Sequence, residues 1–279
     1  HIITSTVEHP AVLEVCRRLE KYGCTITYVP VDEFGMVRPQ DVEAAITGDT
    51  ILITIMHANN EVGTIQPIRD IAEIARSRGI IMHTDAAQSV GKIPTDVQEL
   101  GVDLLSVAGH KVYAPKGVGA LFIRKGFDPE TFMLGAGQEM GRRAGTENVA
   151  WIAGLGKACE IALRDLDANI NHMKRMRDLL YKGLKARLGD AIKLNGSQEV
   201  RLPNTLNVSF FGLEANRILE EIGLQVAASA GAACHSDQVT VSHVLEAMHF
   251  PLDWAKGTLR FTTGRMTTVE EIMQATEVV

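Results

Sequence analysis

Along the first 125 or so residues, apolar positions follow two alternating spacings. Short runs rich in Ile, Val, Thr and Leu predict strands at His1–Ser5, Thr25–Pro30, Thr50–Met56, Ile80–Thr84, Leu104–Val107 and Val118–Ile123. Between them, Ala11–Lys21, Pro39–Ile46 and Pro67–Arg78 carry apolar residues at helical spacing. Pro10, Pro39 and Pro67 fall where a first helical turn tolerates proline. Strands alternating with helices predict βαβ units: an α/β fold with a mostly parallel sheet and helices on both faces.

Beyond residue 150 the pattern changes. Trp151–Leu188 reads as one long helical stretch. It is followed by strand Thr205–Phe210, helix Glu214–Ile222, strand Leu224–Ala228 and a loop rich in Gly, Ala and Ser. Helix Ser242–Met248, strand Thr258–Thr262 and a helix from Thr268 close a smaller α+β C-terminal domain. The chain opens directly on a strand at His1, which raises the expectation of a missing N-terminal portion.

Composition narrows the classes. With 46% hydrophobic residues the chain has material for a large core, and a net charge of −6 with no basic run argues against a nucleic-acid partner. No apolar stretch approaches a membrane span and nothing resembles a signal peptide, so the expectation is a cytoplasmic protein without a membrane partner. Of four cysteines, Cys16, Cys24 and Cys159 read as small core residues, and no C-x-x-C pair or disulfide framework is present.

In parallel sheets, ligands bind outside the carboxyl ends of the strands. Those positions here carry Glu8-His9, His57 to Glu61, Asp85 to Gln88 and Gly109-His110-Lys111. Lys111 follows a strand and a glycine, placed to enter a cleft where desolvation makes an amine nucleophilic; a surface lysine is the alternative. Asp85, at the end of an apolar strand, needs a cationic or hydrogen-bonding partner such as a pyridinium nitrogen, or else caps the segment after it. His9, His57, His83, Asp85 and His110 make a rival metal cluster, but no helical H-x-x-x-H spacing supports it, and we assign no metal. Cys234, in a run of small residues beside His235, is a candidate accessible thiolate. Arg260, a cation on a core strand, calls for an anion: a substrate carboxylate or a structural partner.

Together these segments resemble the cysteine desulfurases and selenocysteine lyases, pyridoxal 5′-phosphate (PLP) enzymes of the class V aminotransferase superfamily, fold type I. The resemblance rests on Thr6-Val7-Glu8-His9, Asn59-Asn60-Glu61-Val62-Gly63, His83 to Gln88, Gly109-His110-Lys111, Arg143 to Asn148 and Ala233-Cys234, in the family's order. It implies a PLP-binding large domain over 1–150, and a connecting helix with a small domain carrying the cysteine loop over 151–279. It further implies that Lys111 bonds PLP, that His9 stacks on the ring and assists proton transfer, and that Asp85 holds the ring nitrogen protonated. Gln88 and Asn60 would bind the ring hydroxyl side and the substrate, His110 the phosphate, and Thr146 the phosphate of the neighbouring subunit in a homodimer. Arg260 would hold the substrate carboxylate and Cys234 would accept the sulfur.

The implied reaction turns L-cysteine into L-alanine with a persulfide on Cys234, for delivery to a sulfur-acceptor or iron–sulfur scaffold protein. The chain departs from the family's pattern at Ala108, where many relatives have a phosphate-touching serine, and the family's upstream Gly-Thr phosphate loop has no counterpart in these residues. The alternatives are a selenocysteine lyase, suggested by Ala233 to Asp237, and an inactive truncated fragment. The eight-residue step from Cys234 to Ser242 favours a long-loop cysteine desulfurase.

Overall fold

The computed structural model describes residues 1–235 and 238–279, and for 232–240 the description is limited to the backbone. The first half runs β1 (Ile2–Ser5), α1 (Pro10–Glu20), β2 (Ile26–Val29), α2 (Pro39–Ala44), β3 (Leu52–Thr54), α3 (Ile68–Ser77), β4 (Ile81–Asp85), α4 (Val97–Leu100), β5 (Leu104–Ala108) and β6 (Gly119–Ile123). The six strands form one sheet in the order β2-β1-β3-β4-β5-β6. Every neighbouring pair is parallel except β5–β6.

Alternation along the strands sorts side chains to the two faces. Ile3, Ile53, Met82 and Leu105 pack beneath Val42 of α2 and Ile68, Ile71, Ala72 and Ala75 of α3 in one core. Ile2, Leu52 and Leu104 turn to the other face and, with Val12, Cys16 and Leu19 of α1, line a cavity there. α1 starts where the sequence dictates: Pro10 occupies its first turn and His9 Nδ1 accepts the Ala11 amide at 3.1 Å.

The second half comprises α5 (Val149–Arg164), α6 (Leu166–Leu188), β7 (Ile192–Leu194), β8 (Thr205–Phe210), α7 (Ala215–Ile222), β9 (Ser229–Ala230), β10 (Ala232–His235), β11 (Gln238–Val241), α8 (His243–Ala247), α9 (Leu252–Ala255), β12 (Thr258–Thr262) and α10 (Val269–Val278). A separate antiparallel sheet has the order β7-β8-β12-β9. Met176, Leu180 and Leu184 of α6 and Ile272 of α10 pack on it with Leu206, Val208, Leu259 and Phe261. α10 opens on a capping box, with Thr268 Oγ1 accepting the Glu271 amide and Glu271 Oε2 accepting the Thr268 amide. A third core joins the halves: Val244, Leu245 and Met248 pack with Val7, Met56 and Val62.

The α/β fold class expected from the pattern is therefore present, with differences in the second half. The stretch 151–188 is two helices that meet at Asp165. The strand expected at Leu224–Ala228 does not form; Leu224 is fully exposed and only Ser229–Ala230 reaches the edge of β12. Part of the small-residue loop is instead the antiparallel pair β10–β11, in which Cys234 faces Val239 in register. Of the three cysteines read as core, Cys16 is buried, while Cys24 and Cys159 are half-buried.

Leu184 is wholly buried beneath the second sheet. Leu184→Ala should lower unfolding free energy in urea by about 2–5 kcal/mol, the cost of an unfilled core site.

Candidate active site

The chain leaves β1 toward β2 on one side and then crosses to β3 on the other, so a crevice opens between the carboxyl ends of β1 and β3. A cavity of about 830 Å³ lies along these ends, lined by His9, Asn60, His83, Asp85, Gln88, Ser106, His110, Lys111 and Arg260 among others. At its root sits Glu8, wholly buried. Its Oε1 accepts Ser5 Oγ at 2.6 Å and the Met56 amide at 2.9 Å, tying β1 to the residues after β3; Oε2 has no partner. Burial, offset by those two bonds and reinforced by the charge of Asp85, pushes its carboxyl up to about 8, so Glu8 is neutral at neutral pH.

Lys111 is delivered by β5. Gly109 follows the strand, and a Cβ there would lie 2.5 Å from the Val118 carbonyl oxygen, so no larger residue fits this turn. A single 3-10 turn over Gly109–Val112 ends at Tyr113, which adopts φ +66° without being glycine. Arg265 of the second half stacks its guanidinium 4.5 Å from the Tyr113 ring centre, and its amide donates to Tyr113 Oη at 3.4 Å. Lys111 lines the cavity and is itself exposed. The desolvated amine is Lys92, which sequence reasoning did not single out. It donates to the Gln88 carbonyl at 2.9 Å, and burial together with the nearby Lys111 pushes it down to about 8.

Asp85 ends β4 facing the cavity, with Oδ1 accepting the Ala87 amide at 2.8 Å. Asp85 thus holds the turn that follows β4 and lines the cavity as well, and no helix begins there for it to cap. His83 hydrogen-bonds Thr54 Oγ1 at 2.7 Å and Ser106 Oγ at 2.9 Å, and burial pushes it below the ordinary histidine range. His57 hydrogen-bonds Ser89 and is pushed down to about 4 by burial. Hydroxyl groups partner both rings. Arg260 reaches across from β12: Nη1 donates to the Asn60 carbonyl at 2.7 Å and Nη2 to Ser229 Oγ at 3.2 Å, while its buried Nε has no partner among the described residues.

A smaller cavity of about 220 Å³ adjoins the first. It shares Asn60, Gln88, His110, Lys111 and Arg260, and adds Lys92 and Arg265. Thr146 is exposed and lines neither cavity of this chain. The thiol of Cys234 lies outside the described side chains; the backbone at 234 belongs to β10.

Residues 1–274 match the Aminotransferase class-V family. The chain belongs to the class-V aminotransferases. Within that family it is 51% identical over 98% of its length to the cysteine desulfurase IscS of Dictyoglomus turgidum, spanning 69% of that relative. It is 46% identical over its whole length to a cysteine desulfurase of a Nostoc strain, spanning 70% of it. A solved NifS-like protein superposes with TM-score 0.91 at 38% identity, over 99% of this chain and 73% of that one. A NifS-like protein from Rickettsia africae superposes at 0.89 with 28% identity, over 99% and 74%.

Class-V aminotransferases depend on PLP, and the residues present here fit that group. The larger cavity has the size of a small-molecule site. It combines a primary amine, a carboxylate and neutral hydrogen-bonding side chains, as a cationic pyridine ring requires.

Glu8 gives the folded state a pH dependence of defined sign. Its folded pKa lies above the ordinary value of 4.5, so its contribution is full below 4.5 and is lost as pH rises through about 8. Between pH 6.5 and 8 the depressed His57, His83 and Lys92 add stability to the cofactor-free protein as pH rises, while the Glu8 contribution is lost. The loss is on the order of a few kcal/mol at most. Glu8→Gln, which is neutral throughout, should lack that loss, so its denaturation midpoint should gain on the wild-type midpoint as pH rises through the window.

Proposed function

We propose that this chain is a PLP-dependent cysteine desulfurase that converts L-cysteine to L-alanine and transfers the sulfur to Cys234. The observation that carries the reading is a single cavity lined at once by Lys111, Asp85, Gln88, Asn60, His9 and Arg260. The names of the relatives favour cysteine over selenocysteine as substrate.

PLP, when bound, supplies an electron sink for the substrate amino acid. Lys111 would hold it covalently until substrate amine takes its place, and Asp85 would hold the ring nitrogen protonated. Gln88 and His9 would fix the ring, with His9 free on its cavity side to move a proton. His110 would contribute to the phosphate. Asn60 and Arg260 would orient the substrate, whose carboxylate meets the otherwise unpaired Nε edge of Arg260.

The Cys234 thiolate attacks the substrate sulfur. An S–S bond forms, the C–S bond breaks, and its electron pair stays on the substrate carbon, which takes a proton to become alanine. Cysteine and the Cys234 thiol thus yield alanine and a Cys234 persulfide, with no external oxidant or reductant.

The same reading divides the chain into a PLP-binding large domain over 1–150 and a connecting helix with a small domain over 151–279. It makes the active species a homodimer in which Thr146, exposed and clear of its own cavity, reaches the partner's phosphate site. The apolar residues exposed around it, Phe132 (95%), Leu134 (84%) and Met140 (85%), support burial of this segment against a second copy. An external sulfur acceptor, such as an iron–sulfur scaffold protein, would take the persulfide in the cytoplasm. No helix among the described residues is long and apolar enough to cross a membrane.

Borohydride reduction of the PLP-loaded protein should fix the cofactor on Lys111 by mass spectrometry; an adduct on the desolvated Lys92 would overturn the assignment. Cys234→Ala should keep the cofactor absorbance and its response to cysteine while losing persulfide and sulfide release. Wild-type sulfide release by that variant would refute the mechanism, and turnover of selenocysteine with none of cysteine would replace the substrate. Light scattering should give twice the chain mass, and Thr146→Ala should weaken PLP retention without changing that mass.

A further inference from the structure

The β10–β11 pair that carries Cys234 is fastened at its base. Gly231, before β10, donates its amide to the Thr258 carbonyl at 2.8 Å, and Ser242, after β11, donates its amide to the Gly231 carbonyl at 2.9 Å. Ser242 is also the N-cap of α8, accepting the Val244 amide at 3.1 Å. Its hydroxyl donates to Glu61 Oε2 at 2.5 Å, across 181 residues of sequence. One residue on, His243 Nε2 donates to the Glu8 carbonyl at 3.0 Å.

Glu61 is itself held. Its amide donates to Asn59 Oδ1 at 2.8 Å and its carbonyl accepts Asn207 Nδ2 at 3.1 Å. The carboxylate is therefore presented by a fixed backbone directly after Asn60. Neither Glu61 nor Ser242 lines either cavity, so the contact serves neither cofactor nor substrate directly. α8 behind it is anchored by Val244 and Leu245, both wholly buried against Val7, Met56 and Val62.

We propose that Glu61 is a positioning residue: its hydrogen bond to Ser242 fixes the foot of the β10–β11 pair and so sets where Cys234 stands relative to the Lys111 cavity. The inference rests on the desulfurase reading for the role of Cys234, and on geometry alone for the latch. A hydroxyl donating to a carboxylate is a strong, directional bond. The rest of the foot is held by the backbone bonds of Gly231 and Ser242 and by the His243 ring on the Glu8 carbonyl.

The test is a charge-swap cycle on the PLP-loaded protein, with Ser242→Asp, Glu61→Gln and the two combined. Aspartate keeps the N-cap of α8 but sets a second carboxylate against Glu61, releasing the foot. In the double variant the side-chain amide introduced at position 61 donates to the carboxylate introduced at position 242, and the latch is remade. Ser242→Asp should cut the rate of persulfide formation on Cys234 on the order of tenfold, the size expected from losing one charge-assisted hydrogen bond. Cofactor absorbance and the KM for cysteine should stay at wild-type values, and the double variant should recover most of the rate.

In PLP-free protein, alkylation of Cys234 by iodoacetamide should quicken in Ser242→Asp and return to the wild-type rate in the double variant. Unchanged persulfide formation and alkylation in Ser242→Asp would overturn the proposal, as would a slower rate that the double variant fails to restore. Loss of PLP or a raised KM would overturn it too, by placing Glu61 in the cofactor site. Wild-type protein that forms no persulfide would sink the desulfurase reading instead, and the alkylation arm would still decide the latch.

Discussion

A carboxyl group with no exposure, standing where two parallel strands diverge, is the point on which the site depends. Glu8 draws the Ser5 hydroxyl and the Met56 amide onto one oxygen, and so fixes how the turn after β1 meets the turn after β3. His9 begins α1 directly after it, and Asn60 follows four residues beyond Met56. An ionised carboxylate would be costly here without a counter-charge, and Asp85 nearby makes it costlier. The protein meets this by keeping Glu8 protonated, leaving Asp85 as the acid that faces the cavity.

The second half completes the site through arginines. Arg260 bridges Asn60 and Ser229, and Arg265 covers the Tyr113 ring just past Lys111. The Asn60 and Tyr113 contacts join strand-end loops of the parallel sheet to β12 and to the residues after it. The same region carries Ser242 and His243 to Glu61 and Glu8. Lys111, the strand of Cys234 and the Arg260 guanidinium come from segments far apart in sequence, and polar contacts between loops link them. The apolar cluster of Val7, Met56, Val62, Val244 and Leu245 gives those contacts a dry floor.

The parallel sheet was legible because its strands are compact apolar runs alternating with segments of helical spacing; the strand order was not, because nothing local says which strands become neighbours. The strand-end rule then named most of the cavity's polar lining, including Asp85, Gln88 and Lys111. What sequence could not reveal was burial. Glu8 entered only as a letter in a motif, because nothing local distinguishes a neutral buried carboxyl from a charged one. Lys92 was passed over because its desolvation comes from packing around Gln88. The second half was read less well: its strands are short, and Leu224 to Ala228 has strand-like composition but no neighbour to pair with. The Ala/Gly run at 227–233 signals a loop by composition, yet Ala232–His235 is paired because the chain returns beside it.

Lys92 has a further consequence. Its amine sits next to Lys111 in the wall of the smaller cavity, whose named lining contains Arg260 and Arg265 and no carboxylate. With its affinity for a proton lowered to about 8, it is partly discharged in mildly alkaline solution. A negatively charged guest in that chamber favours the ammonium form, so occupancy and proton uptake from solvent are reciprocally coupled. Anion binding and protonation of Lys92 would therefore reinforce one another in mildly alkaline solution.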